Sequence, residues 1–411
     1  MNACISVKTT EKSARRPRHR WCRSVPRRRS AARASHTLLA ALAMVLAGCS
    51  PADGPASAGS GPGTTTAPPT SFRVIATGDV LIHQGGSLVR GAADAGRANG
   101  NGYDFTGVLA QVAPVIQDAD LAVCHLETPV AETTGPFRGY PSFNVQPQIL
   151  DALAGAGYDT CSTASNHSLD AGFTGLVRTL DALDARGIGH AGTFRTAEES
   201  RAPGIAEVRD ARVAHLSWTY GLNGIPLPSG REWSVNVFDP VGPDIAGVLG
   251  DAARARRAGA QVVIVSVHCC TEYVHDPTDT QVTIARALLA SPDIDLVLGH
   301  HAHVVQPFEK INGKWVAYGL GNHIAQQSRA GSGETEDSMI ARFTFTRAAD
   351  GRYSVTKAEA VPTRIDIGRT TTTIVLTGTG GAGVDGTSYN RVVEILGRRR
   401  APTDGLIISA K

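Results

Sequence analysis

Apolar residues in this chain gather in short unbroken runs, and only between those runs do they take helical spacing. The clearest run is Val262-Val263-Ile264-Val265-Ser266-Val267, and similar ones are Phe72–Thr77, Leu121–Cys124, Tyr158–Ala164 and Asp295–Leu298. Runs of this length without helical periodicity predict strands buried inside an α/β protein. Helical spacing appears over Gly175–Arg186, where Gly187 supplies a C-cap, and over Ala252–Ala258 and Val282–Ala290. Val208–Trp218 reads as a hairpin turning near Asp210-Ala211. A second hairpin is predicted over Val304–Tyr318, where Asn312-Gly313 matches a type I′ turn. Further on, Thr370–Leu376 reads as one more strand and the Gly-rich Thr377–Thr387 as loop.

The ends of the runs carry the chemistry. Phe72–Thr77 ends in Gly78-Asp79, with His83 four residues later. Leu121–Cys124 leads to Glu127, Tyr158–Ala164 to Asn166-His167, and Val262–Val267 to His268. The run at Asp295–Leu298 ends in Gly299-His300-His301-Ala302-His303, and His301 and His303 project to one side of an extended or turning backbone. In open α/β sheets, ligands gather at the carboxyl ends of strands. A lone Asp after a strand is often a helix N-cap, and a lone His-rich stretch is often a surface loop. Five such ends in order point instead to a metal centre. Mixed Asp, Glu, Asn and His donors suit Mn, Fe or Zn better than Ca or Mg. A carboxylate bridging two divalent ions is a common layout for hydrolysis.

Charge and composition bound the partners. The formal charge of +3 comes from the N-terminus, where the first 36 residues hold a dense Arg/Lys block and one acid, Glu11. The remainder is mildly acidic, which excludes a nucleic-acid footprint. The apolar stretch Thr37–Cys49 follows the basic block, as in a signal peptide too short to span a bilayer comfortably. Leu46-Ala47-Gly48-Cys49 resembles the bacterial lipoprotein box, so residues 1–48 are expected to be a leader and Cys49 the lipidated N-terminus. Plain secretory cleavage and a short anchor helix are the alternatives. Residues 49–71, rich in Pro, Gly, Ser and Thr, read as a flexible tether. The expected location is therefore extracytoplasmic, on the outer face of the cell membrane. The run Arg398-Arg399-Arg400 reads as solvated surface.

The motifs Gly78-Asp79, Leu126-Glu127, Ser165–Asp170, His268-x-x-x-Glu272-Tyr273, Gly299–Val304 and Gly321-Asn322, in this order, resemble the CapA family of poly-γ-glutamate capsule biosynthesis proteins. That family lies within the metallophosphatase (calcineurin-like) superfamily, and the resemblance runs from Phe72 to about Thr363. It implies a four-layer α/β/β/α sandwich over residues 72–365, with 366–411 as a C-terminal extension. It implies metal ligation by Asp79, Glu127 (a candidate bridge), Asn166, His268, His301 and His303. His167 is the implied acid, and His83, Glu272 and Asn322 are implied to lie behind the ligands. This chain departs from the family at His125, at Cys269-Cys270 and at His323. His125 and His323 are open as added site residues. The cysteines are open as ligands, as buried packing, or as disulfide partners of Cys124 or Cys161. The implied function is synthesis, export or processing of an anionic envelope polymer of the poly-γ-glutamate class, by hydrolase or transferase chemistry. A general phosphoesterase and a non-catalytic polymer-binding lipoprotein of an export complex are the other readings.

Overall fold

The computed structural model describes residues 21–22, 70–100, 102–327, 334–378 and 384–409, all within one compact unit. The expected lipidation site Cys49, the expected leader apart from Trp21–Cys22, and the expected tether apart from Thr70 and Ser71 lie outside the described residues. No helix among the described residues is long and apolar enough to cross a membrane.

Alternating burial builds two sheets. Along Ser71–Val80, Phe72, Val74 and Ala76 face one side and Ile75 the other. In Val262–His268, Val262 and Ile264 face one side while Val263, Val265 and Val267 face the other. The first sheet runs Thr372–Leu376, Tyr353–Ile367, Asp337–Arg347, Ser71–Val80, Leu121–Leu126, Thr160–Ser162, Gly189–Ala191. Asn322–Ile324 pairs with Ser71–Val80, and Leu406–Ile408 with Tyr353–Ile367. The second runs Trp21–Cys22, Ile205–Val208, Ala211–Thr219, Val262–His268, Leu296–His300, Lys314–Ala317, Phe308–Ile311.

The layers follow from the side chains. A core of Val74, Ala76, Val123, Val213, Ile264 and Leu298, with others, fills the space between the sheets. Helices Ser87–Asn99, Ile149–Ala156 and Gly172–Ala185 cover the outer face of the first sheet through Leu88, Leu153 and Leu180. Helices Ala246–Arg257 and Asp279–Ala290 cover the second through Val248 and Leu288. The result is the expected four-layer α/β/β/α sandwich, with apolar burial on both faces of each central strand.

Local chemistry sets the boundaries. Asp279–Ala290 starts three residues before the periodic stretch because Thr278 and Gln281 form a capping box. Asn312 and Gly313 have φ of 53° and 77°, as a type I′ hairpin turn requires. Two expectations are corrected. The stretch Thr377–Thr387 is not all loop, because helix Val384–Leu396 begins inside it and buries Val392, Ile395 and Leu396. Ser388 and Arg391 of that helix both donate to buried Asp337, which anchors it to the first sheet. The break expected at residue 365/366 falls inside Tyr353–Ile367, and Thr372–Leu376 and Leu406–Ile408 flank that strand.

Strand direction positions the site. Ser71–Val80, Leu121–Leu126, Thr160–Ser162 and Gly189–Ala191 are mutually parallel. So are Ala211–Thr219, Val262–His268, Leu296–His300 and Lys314–Ala317. The carboxyl ends of each parallel set share one edge of their sheet, and the expected ligands sit there.

Candidate metal centre

Close backbone approach begins the site. A Cβ on Gly78 would lie 1.9 Å from the carbonyl oxygen of Gly321, so only glycine fits before Asp79. Asp79 N–H donates to that carbonyl at 3.0 Å, and Asn322 is its register partner. In the other sheet, a Cβ on Gly299 would lie 1.8 Å from Tyr318 O. Beyond it the chain bends through His301 and His303, whose φ values are 86° and 55°. Tyr273, at φ 61°, donates from its N–H to Ala302 O at 2.8 Å. Three non-glycine residues at positive φ, each costing about 1–3 kcal/mol, are held at one place by the surrounding structure.

Asp79, Glu127 and His303 form one half of the centre, with ligand atoms within 4.8 Å of one another. His303 Nδ1–H is shared between Asn322 Oδ1 (2.9 Å) and Asp79 Oδ2 (3.2 Å). Its Nε2 faces Glu127 Oε1 at 3.7 Å and Glu272 Oε1 at 4.0 Å. Asp79 also accepts from His300 Nδ1–H and from His301 N–H, each at 3.2 Å. Burial would raise Asp79, but the hydrogen bonds from His300 and His303 hold it well below the usual carboxylate range. Burial, with Asp79 adding to it, pushes Glu127 up to about 7. Burial would lower His303, but Glu127 and Asp79 push it up to about 9, so it partly balances their charge.

Asn166 and His268 form the other half. The turn that carries Asn166 is folded by serines: Ser168 Oγ donates to Thr163 O at 2.8 Å and Ser165 N–H donates to Ser168 Oγ at 2.8 Å. Asn166 Oδ1 lies 2.9 Å from His268 Nε2, and Asn166 Nδ2–H donates to Asn223 Oδ1 at 3.2 Å. His301 joins this half, its ring centroid 4.6 Å from that of His268 and 5.8 Å from that of His303. Burial holds both His268 and His301 below the usual imidazole range, so they stay neutral, as metal ligands must be.

The donor set fits a divalent cation, and Glu127 is the observation that tests it. Its carboxylate is buried, and neither oxygen has a hydrogen-bond partner. A buried carboxylate without a partner is costly and calls for a compensating charge. Asp79, His125 and His300 also lie within 4.8 Å of one another. Their geometry opposes a third ion, because the His125 and His300 rings stack at 4.1 Å and 15°. Imidazole lone pairs lie in the ring plane and cannot converge from two stacked rings.

The expected residues distribute as follows. Asp79, Glu127 and His303 meet, as do Asn166, His268 and His301. Glu272 sits with His301 and His303 as a possible ligand rather than only behind them, and Asn322 orients His303. His167 Nδ1–H donates to Asp170 Oδ2 at 2.7 Å. Burial opposes charge on His167, but Asp170 and Glu127 outweigh it and raise its pKa. His83 is held near 4 chiefly by burial, and its ring stands edge-on to Phe143 at 5.4 Å; Phe143 also abuts His167 at 4.8 Å. His323 belongs elsewhere, buried with Nε2 2.9 Å from Tyr158 Oη. The cysteine pairing is also corrected: Cys124 bonds to Cys161, its register partner on the next strand, and Cys269 to Cys270. Paired in this way, Cys269 and Cys270 supply no thiolate to the site. Sequence reasoning missed Asn223, whose Asn-Gly pair signals a turn but not its contact with Asn166, and the holding role of His300, which was in plain view among three histidines.

A family model described as bacterial capsule synthesis protein PGA_cap matches residues 73–327. The chain is 25% identical over 252 residues to the PGA biosynthesis protein CapA of Bacillus subtilis, covering 61% of this chain and 64% of that protein. It is 25% identical over 257 residues to a probable polyglutamine synthesis accessory protein of Mycobacterium tuberculosis, covering 60% and 66%. The chain thus spans just under two thirds of these relatives' lengths. Among solved structures, the calcineurin-like phosphoesterase YfkN from Bacillus subtilis aligns with a TM-score of 0.41 and 14% identity, over 80% of this chain and 98% of that one.

Proposed function

We propose that this chain, which belongs to the bacterial capsule synthesis protein PGA_cap family, acts on an anionic envelope polymer of the poly-γ-glutamate class through a centre of two divalent ions, Mn, Fe or Zn. The observation that carries this reading is Glu127, a buried carboxylate with neither oxygen in a hydrogen bond, set beside Asp79 and His303. The names of the relatives, which speak of PGA biosynthesis and polyglutamine synthesis, support the polymer class.

Bound divalent ions would supply positive charge that neutralises a carboxylate or phosphate and polarises the bond under attack. Asp79, Glu127 and His303 would hold one ion, and Asn166, His268 and His301 the other. The remaining work falls to the protein's own groups. His167 is fixed through Nδ1 to Asp170 and holds a proton at Nε2 for a leaving group. Phe143 packs against the rings of His167 and His83 and keeps water from that side. Location is part of the proposal: lipidation at Cys49 and the tether of residues 49–71 would hold the domain at the outer membrane face. Cys49→Ala should then release the protein from the membrane fraction.

The deciding experiment is metal content and turnover of the purified chain, with γ-glutamyl polymers and phosphoesters as substrates. About two ions per chain with cleavage or transfer of γ-glutamyl bonds supports the proposal. Bound metal with phosphoester turnover alone moves the function to a general phosphoesterase. Absence of metal after reconstitution with Mn, Fe and Zn sinks the catalytic reading.

A further inference from the structure

We propose that His125 is a positioning residue that fixes the tautomer of His268, so that His268 Nε2 presents its lone pair beside Asn166 Oδ1. This rests on the metal reading of the site and deepens it. His268 Nδ1 lies 2.9 Å from His125 Nε2, His125 Nδ1 lies 2.8 Å from Ser162 Oγ, and Ser162 Oγ donates to Cys124 O at 3.3 Å. All three side chains are buried, so water does not compete for these bonds.

A neutral imidazole has one N–H, and the chain's far end sets which nitrogen carries it. The Cys124 carbonyl can only accept, so the Ser162 hydroxyl donates to it and accepts from His125 Nδ1–H. His125 Nε2 then accepts from His268 Nδ1–H. That leaves His268 Nε2 unprotonated at the spot where Asn166 turns its amide oxygen, and two lone pairs 2.9 Å apart are suited to one cation. A ligating histidine usually gives its other N–H to a carboxylate or a backbone carbonyl. Here the carbonyl is reached through an imidazole and a hydroxyl. His125 is itself immobilised by stacking on His300, which holds Asp79.

The test uses the purified full chain with H125L, H125Q and S162A. Zn²⁺ affinity is measured by competition with a chromophoric chelator, and the ring tautomers of the Zn²⁺-loaded protein by long-range ¹H–¹⁵N spectra. H125L should weaken one ion by about 10–100-fold and lose the Nδ1–H signature of His268. H125Q should recover most of both, because its amide oxygen reaches the place of the His125 Nε2 and accepts the same bond; S162A should fall between, and tests the chain if H125L does not fold. Wild-type affinity and an unchanged His268 tautomer in H125L would overturn the role, as would H125Q behaving no better than H125L. A wild-type chain that binds no Zn²⁺ overturns the metal reading and this role with it, whereas loss confined to His303→Ala overturns this role alone.

Discussion

The two halves of the centre present buried donors to a cation under opposite conditions. In the half built from Asp79, Glu127 and His303, charge is only partly compensated: Glu127 accepts no hydrogen bond, and His303 must carry a proton against its burial. In the half built from Asn166 and His268, both groups are neutral, and Asn166 Nδ2 and His268 Nδ1 are held by Asn223 and His125. On the proposed two-ion reading, the first half would drive binding, since ions would relieve its electrostatic cost. The second would contribute geometry, since its donors are oriented in advance. Variants in the two halves should therefore fail in different ways.

The largest effect is expected from His303→Ala, which removes an imidazole that faces both Glu127 and Glu272. Turnover should fall by about 10⁴-fold or more, with metal content lost in parallel. Metal content equal to wild type by elemental analysis would refute the placement of the first half. His167→Ala lies outside both halves and should lower turnover by about 10²–10⁴-fold while leaving metal bound. If metal and turnover fall together in that variant, His167 is a ligand and its bond to Asp170 has been misread.

Glu127→Gln sharpens the comparison because its effect should change sign with metal. In chelator-treated protein the amide removes an unpaired buried charge, so stability against urea should rise by about 1–3 kcal/mol. In metal-loaded protein the same change should lower it, since ligand binding to the folded state contributes about 4 kcal/mol at a thousandfold excess over Kd. A variant less stable than wild type in both states would mean that Glu127 finds compensation without a cation.

This division also explains what was legible in the sequence. Each expected ligand follows a short apolar run because parallel strands end at one edge, so the grouping of Asp79, Glu127, Asn166, His268 and His301 at that edge was legible from their local neighbours. Roles that depend on a partner from the other sheet left no local trace. His300 reaches Asp79 across 221 residues and His268 reaches His125 across 143, and neither pairing is encoded by spacing. The hairpin Asp337–Arg347/Tyr353–Ile367 did carry a signal, the alternation of Met339, Ala341, Phe343 and Phe345, which went unread beside the louder ligand motifs. Helix Val384–Leu396 was hidden because its start, Val384-Asp385-Gly386-Thr387-Ser388, is made of weak helix formers, and burial of Ser388 against Asp337 overrides that local preference.

The smallest effect should come from Asn223→Ala, and its size measures how far the second half is preoriented. Asn223 Oδ1 accepts from Asn166 Nδ2–H and so holds the Asn166 amide with its oxygen toward His268. Without Asn223 the amide can rotate, but an ion would still favour the oxygen, so the loss is one hydrogen bond, about 1 kcal/mol or fivefold in the affinity of one ion. The lost hydrogen bond exists without an ion, so the variant should also be slightly less stable after chelator treatment, with no change of sign such as Glu127→Gln should show. A hundredfold loss would mean that the neutral half is held together as tightly by its scaffold as the charged half is by its ion.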